Sequence, residues 1–130
     1  MDELTLTSGA LGADPGAARR ARREAARFLD GLGLSDRLDD VLLVISELIT
    51  NSVLHAQAAP ELVVRAIAES RSLVVEVRDP SPALPVQRDP ELAIRGGRGM
   101  RLVAAIADKC GVEIRDDAGK TVWAEFRAPD

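Results

Sequence analysis

The stretch LLVISELITNSVLHA, residues 42–56, decides how the rest of the sequence is interpreted. Apolar residues recur through it and just before it at spacings of three and four, which predicts one helix from Ser35 or Asp36 to about His55. The predicted buried stripe consists of Leu38, Val41, Leu42, Ile45, Leu48, Ile49 and Val53.

Glu47, Asn51 and His55 lie at steps of four and therefore share another side of the helix. That side also carries Asp40, Leu43, Val44 and Leu54. A purely solvated side does not normally hold three aliphatic residues, so the mixture indicates partial cover by a polar ligand.

Two elements are predicted before this helix. Residues 3–8, ELTLTS, alternate as a strand does, and Asp14-Pro15 then offers a cap and a favoured first helical residue. The helix that follows is predicted to end at Gly31 and Gly33, with an inner face of Ala18, Ala21, Ala25, Phe28 and Leu29. Its arginines are Arg19, Arg20, Arg22, Arg23 and Arg27. We interpret them as a solvated outer face, and the alternative is a docking surface for an acidic protein partner.

The second half of the chain is predicted to be mostly strands. LVVRAIAE (62–69) and SLVVEVRD (72–79) are rich in β-branched residues and flank Ser70-Arg71, so they are predicted to form a hairpin. Residues 79–99 contain four of the seven prolines, which excludes regular structure throughout and indicates a functional or disordered loop. MRLVAAIADKC (100–110) is predicted to be a helix closed by Gly111, with Met100, Val103, Ile106, Ala107 and Cys110 inward. VEIRDD and KTVWAEFRA are the last two predicted strands.

These elements predict one domain over residues 1–130. Hairpins, more often than helical crossovers, connect the predicted strands. The expected fold is therefore an α/β two-layer sandwich of the α+β class, with a mixed, mostly antiparallel sheet and helices packed on one face.

Composition excludes several classes of function. A formal net charge of −4 and a pI near 5.1 argue against non-specific nucleic-acid binding, which needs clustered positive charge. The single cysteine, Cys110, excludes an internal disulfide framework and a multi-cysteine metal site. No apolar run approaches the roughly 20 residues of a membrane span, and no signal-peptide pattern opens the chain. We therefore expect a cytoplasmic protein that binds neither membrane nor nucleic acid directly.

Three features could form a ligand site. GGRGM (96–100) precedes a predicted helix, where glycines and free N–H groups favour phosphate and Arg98 adds a matching cation. Asp79 ends a strand, where its carboxylate is either a simple loop cap or an acceptor for the exocyclic amine of a base. Asn51 offers a neutral oxygen to a hard cation such as Mg²⁺, and Glu47 could activate a hydroxyl group or water. His55 is interpreted as a structural residue at a helix end.

In this order the features resemble the GHKL ATPases, the Bergerat-fold family that includes gyrase and the histidine-kinase catalytic domains. The sequence is most similar to bacterial anti-sigma-factor serine kinases and their single-domain actinobacterial relatives. The resembling stretches are LLVISELITNSVLHA (42–56), VEVRDPSPALP (75–85), GGRGMRLVAAIADKCGVE (96–113) and GKTVWAEF (119–126).

The resemblance implies a role for each matching position. Glu47 would be the general base, Asn51 the Mg²⁺ ligand, and Asp79 the acceptor for the adenine amine of ATP. Residues 80–98 would form the lid over the nucleotide. The further nucleotide-binding positions would be Ser81, Gly97, Arg98, Gly99, Met100 and, beside adenine, Thr121.

The function implied is that of an anti-sigma-factor regulator which phosphorylates a serine or threonine of its partner. The partners implied are an anti-sigma-factor antagonist protein and a sigma factor, and close relatives are often homodimers. Family members commonly carry glycines where this chain has Ser81 and Ala83, and a basic residue where it has Leu54. These differences favour an alternative function, a protein-sequestering module that binds nucleotide without phosphoryl transfer or binds none.

Overall fold

Five strands and four helical segments make up the described part of the chain in this computed structural model, which covers residues 2–34, 36–56, 59–80, 101–116 and 119–127. The strands are β1 (Asp2–Leu6), β2 (Glu61–Ile67), β3 (Ser72–Asp79), β4 (Lys109–Ile114) and β5 (Lys120–Arg127). The helices are α1 (Ser8–Leu11), α2 (Ala17–Gly31) and α3 (Leu38–Ala56), and residues 101–106 are also helical. None of the helices described here is both long and apolar enough to cross a membrane.

The strands form one sheet in the order β1-β2-β3-β5-β4, and each neighbouring pair is antiparallel. The α+β prediction is therefore confirmed, and the strands described here contain no parallel pair. The predicted β2–β3 hairpin is also confirmed, with Ile67 opposite Ser72. Arg71, in the turn, has a positive φ of 51°. Because side chains alternate along a strand, the register of this sheet fixes which residues face the helices.

The core lies between one face of the sheet and the helices. Every fourth residue of α2 is completely buried, namely Ala17, Ala21, Ala25 and Leu29. Three of these are alanines, whose small side chains allow α2 to pack closely against α3. The opposite face of the sheet carries alternating acidic and basic side chains joined by ion pairs from Glu3 through Arg65 and Glu76 to Arg78. The sheet therefore has one apolar face and one solvated face, as antiparallel sheets commonly do.

The start of α3 is joined to the far end of the sheet by Arg37. Its guanidinium donates hydrogen bonds to the Ile106 carbonyl at 2.8 Å and to the Asp108 carboxylate at 2.7 Å, and lies 5.2 Å from the centre of the Phe126 ring. Asp108 also accepts a bond from the Arg127 backbone N–H at 2.6 Å. Arg37 thus connects α3, the end of the 101–106 helix and β5.

Three predictions about the elements were wrong or incomplete. Val44 was placed on the polar side of α3 but is completely buried. The third predicted helix ends at 106 instead of Cys110, and both Cys110 and Gly111 lie in β4. Pairing with β5 decides this, because Gly111 lies opposite Trp123 and a Cβ there would be 2.9 Å from the indole ring. The short helix α1 was not predicted.

The arginine-rich face of α2 agrees with its predicted orientation. Arg19, Arg22 and Arg23 are exposed, whereas Arg20 pairs with Asp14 at 2.8 Å. Asp14 also accepts a bond from the Gly16 N–H at 2.7 Å, so that it caps the turn before α2 instead of the helix itself. The docking alternative for these arginines stays a prediction.

Candidate functional site

The candidate site is built around Asp79, the last residue of β3. Residues of β3 and β5 that face the helices lie directly opposite one another in pairs, which are Leu73–Phe126, Val75–Ala124, Val77–Val122 and Asp79–Lys120. Along these two strands, three apolar pairs are thus followed by a fourth pair in which both residues are charged. The Lys120 Nζ lies 3.3 Å from Asp79 Oδ2, and the two side chains are 4% and 2% exposed. Such burial is tolerated because each charge has a partner.

Ser52 brings α3 to this pair. Its hydroxyl group donates a hydrogen bond to Asp79 Oδ2 at 3.2 Å, and its side chain is buried. Ser52 directly follows Asn51, so this bond holds the C-terminal half of α3 against the end of β3. The structure therefore brings together the Asn51 region and Asp79, two of the three features that the sequence singled out.

Glu47 and Asn51 lie one turn apart on the open side of α3. Both residues are half-buried, and Leu43 and Leu54 on the same side are 42% and 65% exposed. Two aliphatic residues thus flank two oxygen-bearing side chains, which is the composition of a surface that contacts a ligand with polar and apolar parts. The roles assigned to Glu47 and Asn51 stay predictions.

Arg115 fixes the ends of β3 and β5 relative to each other. Its guanidinium donates to the backbone carbonyl of Lys120 at 2.6 Å, to that of Asp79 at 3.0 Å, and to the Thr121 hydroxyl at 3.0 Å. Gly119 lies beneath this side chain, and a Cβ there would lie 2.6 Å from the Asp79 carbonyl oxygen. Through these hydrogen bonds, Arg115 holds the backbones of Asp79 and Lys120 beside each other.

Thr121 faces away from Asp79. It lies opposite Arg78, on the solvated face of the sheet, where a groove of about 870 Å³ is also lined by Glu113, Arg115 and Trp123. Glu47 and Asn51 belong to the other layer, so this groove does not include them. Asp79 lines the same groove as Thr121, whereas Lys120 is the residue of β5 directly opposite Asp79. The expectation that Thr121 lies beside adenine stays a prediction.

The donor set is chemically suited to Mg²⁺ held together with a nucleotide. Asn51 would offer a hard oxygen ligand, Glu47 one turn away would stay available as a base, and Mg²⁺ takes most of its remaining ligands from phosphates and water. No group of three or more His, Cys, Asp or Glu side chains in the described residues is arranged to hold a metal ion.

Several predicted site residues lie outside the described part of the chain. These are Ser81, Gly97, Arg98, Gly99 and Met100, together with the lid except for its first residue, Pro80. The side chain of His55 lies outside it as well. Their proposed contacts with phosphate and base stay predictions.

Sequence reasoning did not identify Ser52, Lys120 or Arg115. One signal could have identified Lys120: Val122, Ala124 and Phe126 alternate as the apolar face of β5, and Lys120 has the same parity. Ser52 lies three residues after buried Ile49 and hence near the predicted stripe. Arg115 carried no such signal, since its contacts depend on how the β4–β5 hairpin folds.

One comparison with known proteins bears on this site. A protein-family model described as a histidine kinase-like ATPase domain matches residues 11–126, which is most of the chain. The match includes α3, Asp79 and the β4–β5 hairpin. No curated protein is similar enough to the chain to count as a match.

Proposed function

The chain belongs to the histidine kinase-like ATPase domain family, and from that premise we propose that it is an anti-sigma-factor-type regulator. In this proposal it binds ATP with Mg²⁺ and phosphorylates a serine or threonine of a partner protein. The observation that carries the proposal is the hydrogen bond from Ser52 to Asp79, 3.2 Å long. It joins the helix that bears Glu47 and Asn51 to the strand end that would recognise the base.

Each residue has a distinct part in the proposed reaction. Asn51 would hold Mg²⁺, which when bound would neutralise charge on the phosphates. Asp79 accepts a hydrogen bond from the base. Glu47 accepts the proton of the partner's hydroxyl group as its oxygen bonds to the γ-phosphorus, while the bond from that phosphorus to the bridging oxygen of ADP breaks.

The proposed partners are an anti-sigma-factor antagonist, which would carry the acceptor hydroxyl, and a sigma factor. A homodimer in the cytoplasm is the proposed working form. Support comes from the sequence resemblance and from two exposed apolar residues that could contact a protein substrate, Leu43, one turn before Glu47, and Leu54, about one turn after Asn51.

ATP binding with and without Mg²⁺ tests the nucleotide site. Calorimetric titration of the purified chain should show tighter binding with Mg²⁺, and Asn51→Ala should remove most of that gain because the metal loses its protein ligand. Thr50→Ala is the matched control, since Thr50 is the exposed neighbour on the same turn. Equal binding by the wild type and Asn51→Ala, or binding by neither, would contradict the proposal.

A second candidate function is sequestration of a partner without phosphoryl transfer. The observation that favours it is Leu54, 65% exposed on the proposed ligand side, where a basic residue could contact phosphate. Incubation with γ-labelled ATP and candidate antagonist proteins separates the two functions. Stable label on a partner serine or threonine that disappears with Glu47→Gln supports the kinase, and ATP binding without any transfer supports sequestration.

A further inference from the structure

An open groove lies between α2 and α3, and we call it the α2–α3 groove. Its volume is about 530 Å³. Its α2 wall consists of Arg19, Arg22, Arg23 and Ala26, and its α3 wall includes Leu42 and Leu43. The residues of the α2 wall recur at spacings of three and four, so they form one continuous face of that helix. Two regular helix faces thus form the groove, and the positions of their side chains do not depend on a loop.

The α2 wall is positively charged, although the chain as a whole has a formal net charge of −4. The three arginines of this wall are all exposed. Among the residues that the structure describes, none forms an ion pair or a side-chain hydrogen bond with them, whereas the neighbouring Arg20 pairs with Asp14. Like charges three and four residues apart on a helix repel each other. A carboxylate bound between these arginines would therefore relieve their repulsion.

The α3 wall adds apolar surface to this charge. Leu43 is 42% exposed, and Leu42 is half-buried. A peptide that carries both carboxylates and an aliphatic side chain matches the two walls together. Nucleic acid or an anionic membrane surface would match the arginines alone, and the net negative charge of the chain repels both of these polyanions. The groove therefore fits an acidic protein segment best.

The groove leads along α3 toward the candidate base. Leu43 and Glu47 are four residues apart and share one side of the helix, with Glu47 about 6 Å further along its axis. The connection between α2 and α3 is short, so the two helices are antiparallel neighbours. Arg19 consequently lies at the end of the groove nearer Glu47, while Asp39, also in the lining, lies at the other end. The positive charge is thus concentrated toward the candidate catalytic side.

We propose that the α2–α3 groove binds an acidic segment of the protein substrate, next to the serine or threonine that accepts phosphate. The proposal rests on the proposed function, since it takes Glu47 to be the base. Carboxylates of the segment pair with the exposed arginines, and an aliphatic side chain packs on Leu42 and Leu43. The hydroxyl-bearing residue then extends past Leu43 toward Glu47. Asp39 repels carboxylates from the far end of the groove and so favours one register of the segment.

The test measures peptide binding without nucleotide, by fluorescence anisotropy. The acidic probe is a labelled peptide of aspartates and leucines with one serine, and the neutral probe has asparagine in place of each aspartate. A duplex DNA oligonucleotide and phosphatidylglycerol vesicles, the latter by co-sedimentation, represent the other anionic classes. The proteins are the wild type, Arg22→Gln, the triple variant Arg19→Gln/Arg22→Gln/Arg23→Gln and the control Lys109→Gln. Lys109 is an exposed cation on β4, outside the groove.

The wild type should bind the acidic probe at least about threefold more tightly than the neutral probe, as expected for several exposed charge pairs. Arg22→Gln should weaken the acidic probe by about 1.5-fold to fivefold. The triple variant should bind both probes equally, whereas Lys109→Gln should keep the wild-type ratio. Circular dichroism should show every variant folded, because the replaced side chains are exposed and glutamine has a similar helix propensity to arginine. Amide shifts of the isotope-labelled wild type should change along α2 and at Leu42 and Leu43.

Three results would overturn the proposal. They are equal binding of the two peptides by the wild type, a preference for the acidic peptide that persists in the triple variant, and tighter arginine-dependent binding of DNA or vesicles than of the acidic peptide. Calorimetric titration with ATP and Mg²⁺ separates this proposal from the proposed function. ATP binding without the acidic preference overturns the groove proposal alone, whereas the acidic preference without ATP binding overturns the proposed function.

Discussion

Asp79→Asn and Lys120→Met are each expected to destabilise the protein strongly. The side chains are only 2% and 4% exposed, so solvent does not screen the pair as it does at a surface. Removing one partner leaves the other charge buried without the opposite charge beside it, and breaking a buried pair in this way costs about 3–5 kcal/mol. A domain of this size is stable by only about 5–15 kcal/mol, so either substitution could remove a third or more of the total.

The double variant distinguishes charge pairing from simple loss of contacts. With both groups neutral, no buried charge is left uncompensated, so the double variant should be more stable than the sum of the single costs by about 2–3 kcal/mol. Urea unfolding at neutral pH, monitored by far-ultraviolet circular dichroism, gives the four free energies. The slope with urea concentration must be similar across the four proteins for the comparison to hold.

Arg27 and Glu24 provide a control pair at the same separation. Their Nη1–Oε1 distance is also 3.3 Å, but the side chains are 71% and 40% exposed. An equivalent cycle with Arg27→Met and Glu24→Gln should give a coupling of about 0.5 kcal/mol or less. If the Asp79–Lys120 coupling is no larger than this control, or if each single substitution costs less than about 1 kcal/mol, burial does not strengthen the pair and the reasoning fails.

Three further predictions concern the surroundings of the site and the opposite end of the sheet. Gly119→Ala should destabilise by about 1–3 kcal/mol, because the new Cβ would lie 2.6 Å from the Asp79 carbonyl oxygen, whereas Gly31→Ala meets nothing within 4 Å and should be neutral or stabilising in urea unfolding. Ser52→Ala should cost about 1–3 kcal/mol in the same assay, because a buried carboxylate loses a donor. The pKa of Asp108 lies below its ordinary value, chiefly because the backbone N–H of the last residue of β5 donates to it. That stabilisation is present above the ordinary pKa of 3.8 and is lost as pH falls, so Asp108→Asn should destabilise at pH 7 and much less at about pH 3; an equal loss at both pH values would contradict it.

The elements that could be predicted from the sequence are those that local patterns specify. Alternating β-branched residues around a short turn specify the β2–β3 hairpin, and spacings of three and four specify α2 and α3. Prediction from local patterns fails for the segment at residues 100–110. Its apolar spacing fits a helix throughout, but Cys110 and Gly111 pair with β5, a partner that no local pattern reveals.

The candidate site was predicted to the level of elements and not to the level of side chains. Asp79 and the Asn51 region do meet, as the order of features indicated. Which of Lys120 and Thr121 faces Asp79 depends on the β3–β5 register, because a shift of one residue turns every side chain of a strand to the other face. The apolar residues further along β5 set that register, so predicting it requires the pattern of the whole strand.

The position of the charged pair supports the role that we propose for Asp79 in ligand binding. Three apolar pairs precede it along β3 and β5, and a fourth would bury readily there, because apolar replacements of a buried ion pair are often neutral or stabilising by about 1–4 kcal/mol. Stability therefore does not require Asp79 and Lys120, whereas the base recognition that we propose for Asp79 would require its carboxylate. The variant Asp79→Leu/Lys120→Met should consequently unfold at the same urea concentration as the wild type or a higher one, while losing ATP binding in calorimetry. Its Ser52 hydroxyl can turn to the carbonyl of Leu48 one turn earlier in α3, so no donor is left stranded. If this variant kept wild-type affinity for ATP, the pair would be a structural feature only, and the base would have to be recognised elsewhere.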